Sequence, residues 1–261
     1  MLKQRVITSI VALAAFMVVL FGVPAVVAQV VIAILIIGGA WEWSRFLGAS
    51  GRASRIIYVA LLAALMGLAA WQLAASSMFI FQLALVWWLA ALVWVFFFPT
   101  PIPLALRWLC GALVLVPLFV ALIALYRSDP TLLLFALLIV WAADTGAYFA
   151  GRQFGRVKLA PRISPNKTWE GVIGGLLVVV LMSFAGAAWV DIELAVLIPF
   201  CLAVACMSIV GDLTVSMFKR NAGLKDSGTL FPGHGGVLDR IDSVAAAAPL
   251  FALGVSWMGL Q

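Results

Sequence analysis

Charge is what this sequence has least of. Only 10% of its 261 residues are Asp, Glu, Lys or Arg, whereas 66% are hydrophobic and the mean hydropathy is +1.21. A soluble domain of this length could not cover its surface with so few polar groups. The hydrophobic residues form continuous runs instead of alternating with polar ones, which excludes a β-barrel. The composition therefore predicts an all-α protein that crosses the membrane several times.

Histidine and cysteine are also scarce. His234 is the only histidine, and the three cysteines, Cys110, Cys201 and Cys206, lie inside apolar runs without the spacing of a metal site. We interpret these cysteines as small buried hydrophobic residues. The net charge of +6 indicates loop topology and affinity for anionic lipid or substrate, and it does not indicate nucleic-acid binding.

Runs long enough to span a bilayer predict about nine transmembrane helices. They lie near 6–27, 28–47, 55–75, 78–98, 106–126, 131–150, 171–190, 193–215 and 243–260. We expect one membrane domain over 1–261, with N-terminal spans over 6–126 and a catalytic half over 131–261. An alternative for the first run is a secretory signal cleaved near Ala25–Ala28, but the run is long for one and continues directly into the next span.

The positive charges predict the orientation of these spans. With Lys3 and Arg5 placed in the cytoplasm, only Arg127 of the 16 Lys and Arg residues falls on the outer side. This bias favours a cytoplasmic N-terminus and an external C-terminus, with chemistry facing the cytoplasm. The cations predicted on the cytoplasmic side are Arg45, Arg52, Arg55, Arg107, Arg152, Arg156, Lys158, Arg162, Lys167, Lys219, Arg220, Lys225 and Arg240.

The stretch 216–242 holds seven of the 26 charged residues. Asp212 lies just before this stretch, and Ser216 and Lys219 lie within it. The spacing of these three residues places them on one helix face, with Arg220 adjacent. Asp212 lies inside an apolar run, where a carboxylate is costly and therefore indicates function. The simpler interpretation is an intrahelical ion pair with membrane-anchoring cations.

A glycine-rich loop follows, from Lys225-Asp226 to Pro232-Gly-His234-Gly235-Gly236. Its composition excludes a helix and allows backbone amides to converge on an anion, although such a loop is often only a turn. Asp239 and Asp242 then open the last span. Two carboxylates three residues apart suit Mg²⁺ or Mn²⁺, with compensation of the helix dipole as the alternative.

Upstream candidates lie near the middle of the chain. Asp144, Tyr148 and Arg152 are spaced four apart on one helix face, and Lys167 follows in a polar loop. Gly171 and Gly175 are typical of helix packing. Glu42, flanked by Trp41 and Trp43 as residues of a membrane-interface belt, is the weakest candidate and is assigned a structural role.

These residues resemble the signature of the phosphatidate cytidylyltransferase (CDP-diacylglycerol synthase) family. The elements are Ser216, Lys219-Arg220, Lys225-Asp226, Pro232-Gly-His-Gly-Gly236 and Asp239-Arg-Ile-Asp242, in that order. The segments Asp144–Tyr148 and Ser164–Thr168 also resemble family motifs. The resemblance implies transfer of the cytidylyl group of CTP to phosphatidate, yielding CDP-diacylglycerol and pyrophosphate.

The resemblance also implies roles for the residues. Asp212, Asp239 and Asp242, with Asp144, would hold Mg²⁺ or Mn²⁺, and the phosphates would meet Lys167, Ser216, Gly235 and Gly236. The catalytic set would be Lys219, Arg220, Lys225, Asp226, His234 and Arg240. His234 either hydrogen-bonds a phosphate or protonates the leaving group.

The expected setting is the inner membrane, with CTP and phosphatidate as partners and a homodimer as a further expectation. Other possibilities are a CTP-dependent polyprenol kinase, an enzyme similar to CDP-archaeol synthase, or a secondary transporter that uses Asp144 and Asp212.

Overall fold

A computed structural model describes residues 13–48, 51–190, 192–228 and 235–259. The chain forms nine helices and one hairpin over these residues. The helices are α1 (13–21), α2 (Ala25–Trp43), α3 (Arg52–Trp71), α4 (Leu73–Phe96), α5 (Leu104–Ser128), α6 (Pro130–Phe154), α7 (Trp169–Val190), α8 (Leu194–Asn221) and α9 (Leu238–Trp257). The strands are β1 (Lys158–Ala160) and β2 (Ser164–Thr168), and a 3₁₀ turn, Ser44–Leu47, extends α2.

The helices confirm the predicted fold class. Seven of them, α2 to α8, are long and apolar enough to cross a membrane, judged over the described parts of the chain. The predicted spans from 28–47 onward each coincide largely with one helix, although 55–75 also reaches the start of α4, so the apolar runs locate the helices well. The first predicted span lies partly outside the described residues, and Lys3, Arg5 and Asp191 lie outside them.

Helix α9 occupies the centre of the bundle. It packs against α2, α4, α5, α6 and α8, and its residues from Ser243 to Val255 are nearly all buried. Alanines 245 to 248 allow the neighbouring helices to approach closely. Because α9 is surrounded by other helices and hardly contacts lipid, it can be less hydrophobic than the outer helices. For this reason α9 is not among the seven helices that qualify as spans by length and composition.

The outer helices present large hydrophobic side chains to the surroundings. Phe79 and Phe96 on α4 and Leu181 on α7 are each more than 60% exposed, as expected for a surface covered by lipid. Cys110 and Cys201 are buried as predicted, but Cys206 is exposed, so that prediction was wrong for one cysteine. It lies on the outward side of α8, where an apolar run predicts lipid contact as well as burial.

Several arginine contacts are made at one end of the bundle, where α2 ends and α5 begins. Arg107 donates to the carbonyl of Phe46 over 2.9 Å, and Arg55 donates to Oγ of Ser44 over 2.9 Å. Arg45 donates to the carbonyl of Ser227 over 2.5 Å. These cations, all predicted on the cytoplasmic side, therefore meet at the same end of the helices.

Two local features differ from the sequence interpretation. The segment predicted as a polar loop over 151–170 contains the antiparallel hairpin of β1 and β2. Trp43 is fully buried, donates from Nε1 to the carbonyl of Arg107 and packs on Phe218, so it is a core residue and not an interfacial one. Trp41 is partly exposed and stacks beneath the Arg55 guanidinium, 4.4 Å from its ring centre.

Candidate active site

Close packing between α8 and α9 brings the charged residues of the two helices together. At Gly211 an added Cβ would lie 2.4 Å from the carbonyl oxygen of Asp242, so a larger residue would force the helices apart. Gly211 directly precedes Asp212. The packing of the two backbones thus places Asp212 beside the second turn of α9, which starts at Asp242.

Lys219 is the cation at the centre of this contact. Its Nζ lies 2.8 Å from Oδ1 of Asp239 and 3.8 Å from Oδ2 of Asp242. Lys219 is only 8% exposed and Asp242 only 7%. A lysine is rarely buried to this degree unless it is paired, and here two aspartates of α9 supply the pairing.

Asp239 is held from both sides. Its Oδ2 accepts hydrogen bonds from the amides of Ser227 and Gly236, each over 3.0 Å, while Oδ1 faces Lys219. Both oxygen atoms of Asp239 are therefore held in place by hydrogen bonds.

Asp212 joins the hairpin to α8. Its Oδ1 accepts a hydrogen bond from Oγ of Ser216, one helical turn later, over 3.0 Å. Its Oδ2 lies 2.6 Å from Nζ of Lys167 on β2, and both side chains are about one-quarter exposed. The predicted helix face of Asp212, Ser216 and Lys219 is present, and the hairpin adds a second cation to it.

A cavity of about 510 Å³ opens beside this ion pair, between α6, α7, α8 and β2. Besides Lys167 and Asp212, its polar lining consists of Asp144, Tyr148, Arg152, Asn166 and Thr168. The structure thus brings the upstream candidates on α6 and β2 to the same place as Asp212. A cavity with cationic and anionic groups suits a phosphate-bearing ligand.

A second cavity, of about 460 Å³, lies on the other side of Val172 and Ile209, which line both spaces. Its lining is almost wholly apolar and comes from α4, the hairpin, α7 and α8, and Arg162 is the one charged residue among the lining residues that the structure describes. The two cavities lie side by side, and the first has several charged side chains in its described lining whereas the second is almost wholly apolar.

Other predicted site residues lie apart from this cluster or make different contacts. Arg220 donates to the backbone carbonyls of Ile163 and Leu224, which ties the end of α8 to the hairpin. Lys225, Asp226 and Arg240 are exposed. The amide of Gly236, predicted to bind phosphate, donates to Asp239, and Gly235 has a left-handed backbone with φ of 81°. His234, with Pro232 and Gly233, lies outside the described residues.

The four predicted metal ligands do not form a closed ligand set. Among the described residues, no group of three or more Asp, Glu, His or Cys side chains is close enough to hold a metal ion. Mg²⁺, however, is usually bound by one or two carboxylates together with water and substrate phosphates. Asp212 and Asp242 lie next to each other across the packing of α8 and α9 with oxygen atoms of the right type, so the residues fit such a partial site.

Glu42 makes more buried contacts than its place in the sequence predicts. Its carboxylate, 6% exposed, accepts hydrogen bonds from Ser227 Oγ and from the amides of Val237 and Leu238. The assigned structural role agrees with these contacts, but their location next to Asp239 was not predicted. The sequence does contain an indication of these contacts. Burying a lone carboxylate near the end of an apolar helix costs free energy, so such a residue needs hydrogen-bond partners.

Comparison with known proteins agrees with this geometry. A family model described as the cytidylyltransferase family matches residues 3–258. The chain belongs to the cytidylyltransferase family. It is 42% identical to a phosphatidate cytidylyltransferase of Pseudomonas aeruginosa, over 97% of this chain and 96% of that protein. It is 38% identical to one of Haemophilus influenzae, over 97% and 98% of the two chains. Both relatives extend over nearly the whole chain, so the cytidylyltransferase match includes α2 as well as the charged helices.

Proposed function

We propose that this chain transfers the cytidylyl group of CTP to phosphatidate and releases pyrophosphate, forming CDP-diacylglycerol. The observation that carries the proposal is the polar cavity with Lys167 and Asp212 next to an apolar cavity across Val172 and Ile209. Phosphatidate is amphiphilic: its phosphate suits the first cavity and an acyl chain suits the second. Family membership and the names of the relatives support the same reaction.

The reaction is a displacement at the α-phosphorus of CTP. An oxygen of the lipid phosphate forms a bond to this phosphorus, and the bond to the oxygen that bridges to the β-phosphate breaks. Because a phosphate monoester has its second pKa near 6, the attacking group is already largely ionised at pH 7 and needs no strong base. The protein has mainly to position the reactants and neutralise their charge.

The described residues divide these tasks between them. Lys167 and Lys219 supply buried or half-buried positive charge near the phosphates, and each is oriented by an aspartate. Asp239 is fixed by two backbone amides and so holds Lys219 in place. Preoriented cations stabilise developing charge on the departing pyrophosphate without reorganisation during the reaction.

Mg²⁺ or Mn²⁺ is part of the proposal. Asp212 and Asp242, with Asp239 and Asp144 nearby in the fold, are the residues that would hold it. When bound, a divalent ion would neutralise phosphate charge and polarise the bond to the leaving group.

Location and assembly complete the proposal. The chain is a multi-pass membrane protein, and bacterial relatives together with the cation bias support the inner membrane with the site facing the cytoplasm. CTP reaches that face from solution, and phosphatidate reaches it within the leaflet. The expected homodimer is tested by measuring the mass of the detergent-solubilised protein.

A labelling experiment tests the reaction. Purified protein in detergent receives phosphatidate and CTP that carries ³²P at either the α- or the γ-phosphate. We expect label in the lipid only from the α-position. Label from the γ-position into an added polyprenol would identify a kinase, and preference for an archaeal ether lipid would identify a CDP-archaeol synthase. Cation flux in proteoliposomes without any lipid labelling would identify a transporter.

A further inference from the structure

Glu42 belongs to the N-terminal part of the chain, yet its carboxylate lies against the charged helices. Oε1 accepts a hydrogen bond from the amide of Val237 over 3.0 Å. Oε2 accepts from the amide of Leu238 and from Oγ of Ser227, each over 2.8 Å. Val237 and Leu238 start α9, where backbone amides have no partner within the helix. A carboxylate at this point satisfies them and complements the helix dipole.

The backbone on both sides of the glycine-rich segment passes directly over this carboxylate. A Cβ at Gly228 would lie 2.1 Å from Oε1 of Glu42, and a Cβ at Gly236 would lie 2.2 Å from Oε2. No side chain fits at either position while Glu42 keeps its place. Because both positions are glycine, the backbone at Gly228 and the backbone at Gly236 can both contact the Glu42 carboxylate.

Ser227 forms hydrogen bonds with three charged residues. Its hydroxyl donates to Glu42, its carbonyl accepts from Arg45 over 2.5 Å, and its amide donates to Asp239 over 3.0 Å. Glu42 and Arg45 belong to α2 and the turn that follows it, whereas Asp239 is the ion-pair partner of Lys219. One serine thus connects α2 to the charged centre of α8 and α9.

We propose that Glu42 is a positioning residue for the reaction. It fixes Ser227 and the start of α9, and through them it sets Asp239 against Lys219. Burial of a carboxylate is costly, and an apolar residue of similar size would fill the space without that cost. The carboxylate instead accepts three hydrogen bonds, two from the amides that directly precede Asp239 and one from the hydroxyl of Ser227, whose own amide donates to Asp239. The assay of this role rests on the proposed cytidylyl transfer.

The decisive variant is Glu42→Gln, which keeps the size of the side chain. In glutamine one of the two carboxylate oxygens is replaced by an amide NH₂ group, which donates hydrogen bonds and cannot accept them. We expect kcat to fall at least ~10-fold, equivalent to about 1.4 kcal/mol of activation free energy. The KM for phosphatidate should change by less than about twofold, since loss of transition-state positioning acts on kcat. Ser227→Ala should change kcat in the same direction by a smaller factor.

Glu193→Gln is the matched control. Glu193 is exposed and precedes α8 at the end opposite to Lys219, so the same chemical change should leave kinetics and melting temperature as in the wild type. A Glu42→Gln protein that retains wild-type kcat would overturn the proposal. So would a loss of total activity that only matches a loss of folded protein, because that result describes a stabilising residue and not a positioning one.

A second measurement does not depend on turnover. Hydrogen exchange of the amides of Val237 and Leu238 should accelerate at least ~10-fold in Glu42→Gln, because their acceptor is weakened, while exchange in α5 stays unchanged. Unchanged exchange at Val237 and Leu238 would overturn the proposal even if the wild type fails to label lipid. Failure of labelling by the wild type with accelerated exchange in the variant would refute the proposed reaction alone.

Discussion

Nζ of Lys219 lies 2.8 Å from Oδ1 of Asp239, so this ion pair joins α8 to α9. Both side chains are about nine-tenths buried. Removing one member of such a pair leaves an uncompensated buried charge, which costs far more than losing an exposed ion pair.

Asp239→Asn tests this pair. We expect at least a ~100-fold loss of activity, because the amide cannot neutralise Lys219 and the centre loses a preoriented charge. The protein should still insert and fold, as judged by gel filtration in detergent. Asp129→Asn is the control: Asp129 caps α6 through the amide of Thr131, and Asn caps as well as Asp. Near-normal turnover of Asp239→Asn would remove Asp239 from the site.

Removal of divalent metal tests the proposed ion. Activity should vanish in EDTA and return with Mg²⁺ or Mn²⁺, because hard oxygen ligands suit these ions. The measurement is cytidylyl transfer before and after the chelator is dialysed away. Full activity in excess EDTA would refute a metal requirement.

Gly211→Ala tests the packing of α8 on α9. Its methyl group would lie 2.4 Å from the carbonyl oxygen of Asp242, so the helices must separate and activity should fall. We expect overpacking to cost about 1–3 kcal/mol of stability, measured by thermal unfolding in detergent. Gly67→Ala on α3 is the control, since nothing lies within 4 Å of its added Cβ. Equal melting temperatures and activities of the two variants would contradict the close packing.

Lys225→Ala separates substrate binding from chemistry. Lys225 is exposed next to the glycine-rich segment, and pyrophosphate gains charge as it leaves. We expect a lower kcat and a higher KM for CTP, with a smaller change in the KM for phosphatidate. Lys158→Ala, another exposed lysine, should leave these constants unchanged. An altered KM for phosphatidate with normal CTP kinetics would assign Lys225 to the lipid headgroup.

Orientation is tested by cysteine labelling in a cysteine-free variant. A cysteine at position 158 should react with an impermeant maleimide only from the cytoplasm, and one at 192 only from outside. The two positions lie beyond opposite ends of α7, which crosses the bundle once. Labelling of both from the same side would refute the predicted topology.

The sequence predicts much of the fold because lipid contact demands long apolar runs. Each run after the first coincides largely with one helix, and the spacing of Asp212, Ser216 and Lys219 predicts their shared face. The hairpin was not predicted, because three- and five-residue strands leave no clear alternation in a polar segment. The burial of Trp43 was not predicted either, since hydrophobicity alone does not distinguish lipid from the protein core.

The sequence named candidate site residues but did not predict which of them pair. Asp212 and Asp239 were both expected to hold metal, whereas the structure pairs them with Lys167 and Lys219. Sequence spacing describes neighbours on one helix, and these pairs join different elements. Glu42 shows the same limit, because its partners lie 185 and more residues away along the chain.

The central position of α9 has a consequence for biosynthesis. This helix emerges from the ribosome after all five helices that it contacts, α2, α4, α5, α6 and α8. Until it enters, α8 carries Asp212 and Lys219 without the aspartates of α9 beside them. The ion pairs of Lys219 with Asp239 and Asp242 therefore form only after this alanine-rich helix, the last of the six to be synthesised, has packed against α8.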